Sequence, residues 1–157
     1  MVELLRIDER LLHGQVATTW VNAVGPDAIL IANDEAATNE MSKLALKMAK
    51  PAGCKLAIKT LEEGAALLNN PKSKDIKIFV ITRTIADTLK LIKATDQIHR
   101  VNIGGVKKRE GGKMVAAAIF LNDEDIADIK EMTALVDEVE VRMVPSEPRT
   151  DIRKILK

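Results

Sequence analysis

The sequence predicts an open, mostly parallel, doubly wound α/β sheet of about seven strands flanked by helices, folded as one domain over residues 1–157. Three observations carry that prediction. Short β-rich runs alternate with helical patterns almost to the end of the chain. Runs such as Ala28-Ile-Leu-Ile-Ala32 and Ile78-Phe-Val-Ile81 are continuously apolar, which implies burial on both faces and parallel pairing. The first strand empties into a polar turn and then an amphipathic helix, the usual place for a reactive site on such a sheet.

Taken in order, Val2–Ile7 is the first strand. Val16, Ala17, Trp20, Val21 and Val24 then recur with helical spacing and predict a helix over Gln15–Val24. Ala28–Ala32 is the second strand, and the next helix spans Asn39–Lys50 until Pro51-Ala-Gly53 closes it. Lys55–Lys59 is the third strand. A helix over Leu61–Leu68 opens behind Thr60 with Glu62 and Glu63 in its first turn, and Asn69-Asn-Pro71 ends it. The strand Lys77–Ile81, the helix Ile85–Ala94 and the strand Arg100–Ile103 follow.

The glycine- and charge-rich segment from Asn102 to Gly112 reads as a loop joining two strands directly. A strand near Met114–Leu121 therefore departs from the regular alternation. Asn122 ahead of Asp123, Glu124 and Asp125 fixes the start of a helix over Asp123–Leu135. The strand Glu138–Met143 and a short helix around Ile152–Leu156 complete the chain.

Composition excludes several classes of function. Apolar residues make up 46% and charged residues 30%, as in ordinary soluble proteins. The 24 Lys and Arg nearly cancel the 23 Asp and Glu, so no global field favours nucleic acid or anionic lipid. Phe79, Phe120 and Trp20 are the only aromatic residues, too few for a base-stacking platform. The single Cys54 excludes an internal disulfide and a multi-cysteine metal site, and no cofactor or metal is expected. No signal peptide and no 18-residue apolar run are evident, which predicts a cytoplasmic protein.

The segment from Arg6 to Trp20 concentrates the chemistry. His13, one of only two histidines, lies three residues after Arg10, seven after Arg6 and immediately before Gly14. An imidazole flanked by guanidinium groups at a helix start suits the handling of phosphate or carboxylate, and nearby arginines favour a neutral, nucleophilic ring. Gly14 and Gln15 bring backbone N–H groups to that helix start, where an anion is favoured, although Gly14 also fits a plain turn residue. Thr82 and Arg83 follow the fourth strand and Asp34 follows the second, so all three are expected at the same sheet edge. They are candidates for shaping a phosphate pocket or for capping alone. His99 reads as structural or solvent-exposed, and Lys107, Lys108 and Arg109 as a solvated loop before a docking patch.

This segment resembles the phosphorylation-site motif of the enzyme IIB component of the mannose/fructose/sorbose family of bacterial sugar phosphotransferase systems. The matching residues are Arg6, Ile7, Asp8, Arg10, Leu11, His13, Gly14, Gln15, Val16 and Trp20. The likeness continues through Asn33-Asp-Glu-Ala36, Asn102-Ile-Gly-Gly105, Asn122-Asp-Glu-Asp125 and Val141-Arg-Met-Val-Pro-Ser146, in the family's order. Leu12 stands where the family often has Ile, a conservative change.

The resemblance implies a protein-N(pi)-phosphohistidine–sugar phosphotransferase. His13 would take a phosphoryl group from a IIA protein on Nδ1 and pass it to a sugar arriving through a membrane IIC/IID permease, with which the chain would associate peripherally. Arg10 is then the expected clamp on the phosphoryl oxygens. Arg6 either reaches the phosphate or pairs with Asp8, in which case Asp8 orients the site; a plain loop-solvating charge is the other reading of Asp8. Trp20 is expected as a core anchor. Mannose, fructose, sorbose and amino sugars are equally compatible, as are a monomer and a homodimer. No nucleic acid partner is implied.

Two other functions compete. A metal-independent enzyme acting on a small phosphorylated substrate would use His13 as general acid or base, and would need a closed pocket. A nucleotide-binding or signalling domain would need a phosphate-binding glycine motif or an acidic pocket, and neither is evident after the first strand.

Overall fold

The computed structural model describes residues 1–156. Seven strands form one sheet in the order β3-β2-β4-β1-β5-β8-β9. They are β1 (Val2–Asp8), β2 (Ala28–Ala32), β3 (Lys55–Lys59), β4 (Ile78–Thr82), β5 (Arg100–Gly105), β8 (Glu138–Val141) and β9 (Thr150–Asp151). All neighbouring pairs are parallel except β8 with β9. The expected sheet is present, but its seven strands are not the expected seven. The segment Met114–Leu121 breaks into a separate antiparallel hairpin, β6 (Lys113–Ala116) and β7 (Ile119–Leu121). Ala118 turns that hairpin with a φ of 62°. The two-residue β9 takes the seventh place instead, too short to carry an alternating pattern.

Apolar layers cover both faces, as the continuous runs require. On one face α4 (Leu61–Asn69), α5 (Ile85–Ala94) and α6 (Asp123–Leu135) bury Leu68, Ile85, Leu89, Ile129 and Met132 against Leu5, Ile7, Val80 and Val101. On the other, Val16, Trp20, Val21 and Leu46 pack on Leu4, Ile29, Ile31, Phe79 and Ile81. Leu46 belongs to α3 (Glu40–Ala49). A short α2 (Asp34–Thr38), absent from the sequence reading, precedes it and is capped by Asn33. The boxes at Thr60 with Glu63 and at Asn122 with Asp125 close as their spacing predicts.

Residues 14–24 form one helical run, but not a regular one. Val16–Trp20 is π-helical and passes into α1 (Val21–Val24), ended by Gly25 at a φ of 63°. The widened turn shifts Trp20 relative to a uniform α-helix. The C-terminal α7 (Ile152–Ile155) follows β9. No helix among the described residues is long and apolar enough to cross a membrane.

β1 lies at the middle of the sheet, between β4 and β5, with Ile7 opposite both Thr82 and Ile103. The carboxyl ends of β1, β2, β4 and β5 share one edge, and the chain continues from Asp8 directly into the segment that holds His13. In open parallel sheets this edge gathers ligand-handling residues.

Candidate functional site at the carboxyl edge

The turn after β1 is tight and strained. Leu11 N–H donates to the Asp8 carbonyl at 2.9 Å, and the Arg10 amide donates to Asp8 Oδ1 at 3.0 Å. Leu11 takes a φ of 57°, a left-handed conformation that costs a branched residue energy, while its side chain is buried. Burial of Leu11 and Leu12 anchors the turn and offsets the strain. Just ahead of these anchors Arg10 is exposed. Among the described residues its guanidinium makes no hydrogen bond or ion pair.

His13 follows at the start of the helix, where its carbonyl accepts the Ala17 amide at 2.8 Å. Its side chain is 17% exposed. Nε2 lies 3.2 Å from Asp8 Oδ2, within hydrogen-bond reach. With an ionised carboxylate as acceptor, Nε2 carries the proton and Nδ1 keeps its lone pair.

Behind Asp8 stands a buried cation. Arg6 is 1% exposed and its Nη2 donates to the same Asp8 Oδ2 at 3.2 Å. Its Nη1 donates to Asn102 Oδ1 at 2.6 Å and to the Arg142 carbonyl at 3.2 Å. Its guanidinium also lies 4.7 Å from the centre of the Trp20 ring, within cation–π range. Burial lowers the Arg6 guanidinium from its ordinary value, and the Asp8 carboxylate opposes that shift. Arg6 therefore pairs with Asp8, and the carboxylate intervenes between Arg6 and the His13 ring.

Trp20 is a core anchor as expected, and it is also a platform. A second guanidinium, that of Arg142, lies 5.1 Å from its ring centre, and its indole N–H donates to the Met143 carbonyl at 2.8 Å. Arg142 in turn pairs with the buried Glu140 at 2.9 Å. The histidine on the first loop is thereby linked to the segment after β8 through one continuous polar core.

Asn102, Gly104 and Gly105 belong to β5 and not to a loop, which corrects the reading of 102–112. A methyl group at Gly104 would collide with Cζ, Nη1 and Nη2 of Arg6. At Gly105 it would come within 3.4 Å of Asp8 Oδ1. The Asn-Ile-Gly-Gly stretch thus seats the arginine and carboxylate of β1. A polar Asn and two glycines inside an apolar strand pattern were the available signal. Arg142 stood out in the sequence only within the Val141–Ser146 likeness, with no role attached, and nothing pointed to Glu140.

The remaining candidates separate. Thr82 is fully buried, and its hydroxyl pairs with that of Thr88 at 2.7 Å. It closes β4 onto α5 and is not placed to bind phosphate, because its hydroxyl points into the protein. Asp34 accepts the Leu61 amide at 2.9 Å, capping α4. Arg83 does reach the site edge and pairs with Glu35 at 3.2 Å. It lines a cleft of about 440 Å³ together with Glu9, Arg10, Val106, Lys107 and Arg109. Arg109 also pairs with Asp125. Gly14 is exposed, and a methyl group there would meet no protein atom within 4 Å. Gly14 has no positive φ, so the turn does not demand glycine. His99 lies on the surface, 3.7 Å from Asp137. Among the described residues no group of three or more His, Cys, Asp or Glu side chains is placed to hold a metal ion.

Comparison with known proteins gives one consistent result. Residues 2–157 match the family model described as the PTS system sorbose subfamily IIB component. The chain is 34% identical over 151 residues to the sorbose-specific EIIB component of Klebsiella pneumoniae, covering 96% of this chain and 92% of that protein. It is 32% identical over 155 residues to the N-acetylgalactosamine-specific phosphotransferase enzyme IIB component 2 of Escherichia coli strain K12, with 99% and 98% covered. The crystal structure of the IIBSor domain of the sorbose permease from Klebsiella pneumoniae superposes with a TM-score of 0.93 at 33% identity, covering 99% of this chain and 96% of that one.

Proposed function

The chain belongs to the sorbose subfamily of phosphotransferase-system IIB components, a family of transferases, and on that premise we propose that His13 carries the phosphoryl group from a IIA protein to a sugar. The observation that supports this reading most directly is the Asp8–His13 pair. It holds Nε2 and leaves Nδ1, at a partly exposed ring, as the free nucleophile.

The first step breaks the P–N bond of a phosphohistidine on IIA and forms a new one at His13 Nδ1. The donor imidazole leaves with the electron pair of the broken bond. As Nδ1 bonds to phosphorus, positive charge grows on the His13 ring, and the Asp8 carboxylate at 3.2 Å balances it. Phosphoryl transfer needs in-line positioning and charge stabilisation on the equatorial oxygens and little else. Arg10 supplies that charge, since its forked donors are exposed and uncommitted. The exposed amide at the Gly14 helix start adds a donor to an oxygen. Gln15 lies beside it, and Arg83 extends the positive edge across the cleft.

In the second step a sugar hydroxyl attacks phosphorus and the His13 P–N bond breaks, its electron pair returning to Nδ1; the hydroxyl proton passes to solvent, and the Nε2 proton stays on the ring, hydrogen-bonded to Asp8. A histidine suits the middle of such a relay because its P–N bond retains high transfer potential. Thr18 and Thr19, whose hydroxyls donate to the Gly14 and Gln15 carbonyls, would form stable esters and stall it. The donor complex is transient, with affinity on the order of micromolar and His13 near the centre of a modest interface. A IIC/IID permease receives the phosphorylated chain. The relatives named for sorbose and for N-acetylgalactosamine stand at nearly equal identity, in keeping with sugar selectivity residing in the membrane subunits.

The test supplies phosphoenolpyruvate, enzyme I, the histidine phosphocarrier and IIA, and follows acid-labile phosphate on this chain. His13→Ala abolishes labelling and His99→Ala leaves it intact. Labelling of His13→Ala at the wild-type level would overturn the assignment.

A further inference from the structure

Three of the large apolar side chains most open to solvent lie on one helix. Met41 is 84% exposed, Leu44 60% and Met48 79%, all on α3. Their spacing of three and four residues aligns them in one stripe, and Ala45 continues it. Leu46 anchors the opposite side of the helix in the core. The stripe therefore does not serve the fold. A solvated helix of this size gains nothing from three long apolar side chains on its outer face.

The charge around the stripe is mostly positive, with Glu40 its one acid. Lys47 borders it and is exposed, Lys50 closes the helix, and Lys43 sits below. Only Lys43 meets a carboxylate among the described residues, Glu40 at 3.7 Å. The Lys50 ammonium rests on the carbonyls of Pro51 and Cys54 and keeps its charge at the helix end. Between residues 40 and 59 the chain carries five lysines and a single acid, in a protein whose net charge is only +1. Residues 14–24, packed on the same face of the sheet, contain no charged side chain. The carboxylates of adjacent α2 are engaged elsewhere, Asp34 on the Leu61 amide and Glu35 on Arg83.

We propose that the α3 face, with Met41, Leu44 and Met48 inserted and Lys47 beside them, rests on the surface of an anionic lipid bilayer. A convex apolar stripe bordered by lysines fits a headgroup layer, where methionine and leucine enter shallowly and ammonium groups meet phosphates. A second copy of this chain fits poorly. Two-fold pairing would bring two such regions together, each with five lysines and only Glu40 as an acid between residues 40 and 59. One ten-residue helix gives weak, salt-sensitive and reversible attachment. Such contact suits a protein that alternates between a donor in solution and a permease, because it raises local concentration without trapping the chain.

The test is co-sedimentation of the unphosphorylated chain with vesicles, which does not depend on the role assigned to His13. Vesicles of equal parts phosphatidylglycerol and phosphatidylcholine bind the chain at low salt, and vesicles of phosphatidylcholine alone do not. Raised salt releases it. Met41→Gln combined with Met48→Gln reduces binding roughly tenfold or more, and Lys47→Gln roughly fivefold. All three substitutions are at exposed sites, so thermal unfolding and labelling by IIA stay at wild-type level. Absence of binding to anionic vesicles at low salt overturns the proposal, as does binding undiminished in the double methionine variant. A dimer in sedimentation velocity that this variant abolishes would assign the stripe to a second copy and overturn it equally. Retained vesicle binding with lost capture by the permease would assign it to a protein partner.

Discussion

The guanidinium of Arg6 occupies the space that a side chain on Gly104 would fill. The two residues lie on neighbouring strands at the centre of the sheet, and Arg6 faces Asn102 across the β1–β5 register. A methyl group at Gly104 has no soft neighbour to displace, because Arg6 is held by Asp8, Asn102, the Arg142 carbonyl and the Trp20 ring. Gly104→Ala is expected to destabilise the fold by about 1–3 kcal/mol, the range for overpacking a filled interior. Denaturant unfolding reads that loss. Where the variant still folds, His13 labelling slows because the displaced guanidinium no longer holds Asp8.

Arg10 presents the opposite case. It is exposed and carries no partner among the described residues, so Arg10→Ala should change stability by no more than about 0.5 kcal/mol. The barrier to transfer from IIA should nevertheless rise by roughly 2–4 kcal/mol, by analogy with removal of one donor to a developing anion. Rapid-quench labelling beside thermal unfolding measures the two effects on one sample. Arg10→Lys should recover only part of the rate, since an ammonium cannot match two phosphoryl oxygens at once.

A pH dependence is built into the C-terminal turn. Asp151 is held at about 2, below the usual carboxylate range, first by the side-chain hydrogen bonds of Arg153 and then by its backbone amide. A carboxylate depressed in the folded state contributes stability that is present above its unfolded value, near 4. That contribution is lost as pH falls from about 4 through 2. Carboxyl-carbon NMR titration should place the Asp151 midpoint near 2. Arg153→Ala should move it upward, toward the ordinary range.

Much of this architecture is written in local sequence. Apolar runs with no polar face specify buried parallel strands, and Thr60, Asn122 and Thr84 specify helix starts through their own side chains. The His13 segment was legible because Arg6, Asp8, Arg10 and His13 stand close together in the chain. The rest of the site depends on contacts across long separations. Asn102 and Arg142 reach Arg6 only because β5 pairs with β1 and β8 with β5. Thr82 misled for a related reason. A polar residue at a strand's carboxyl end marks the functional edge, but strand pleat decides which way it points, and here it points at Thr88. The hairpin was hidden because Ala117 and Ala118 carry no turn signature, although Ala118 is left-handed.

Asp8 carries two loads that a substitution can separate. It neutralises the buried Arg6 and it holds Nε2 of His13. Asp8→Asn removes the negative charge while keeping the shape. The Arg6 guanidinium is then left without its anion, which should destabilise the fold by roughly 3–5 kcal/mol. The amide can present either oxygen or nitrogen to His13, so the ring no longer has a fixed tautomer. Nitrogen-15 shifts of the His13 ring should show a single protonated Nε2 in the wild type and a mixture in Asp8→Asn. Transfer to the variant should slow on the order of 10²–10⁴, the range for losing a positioned acid–base partner. Asp8→Asn combined with Arg6→Met removes the unpaired charge and should restore part of the stability without restoring the rate. Recovery of rate and stability together would show that Asp8 acts only through packing. Recovery of stability alone assigns it the orientation of His13.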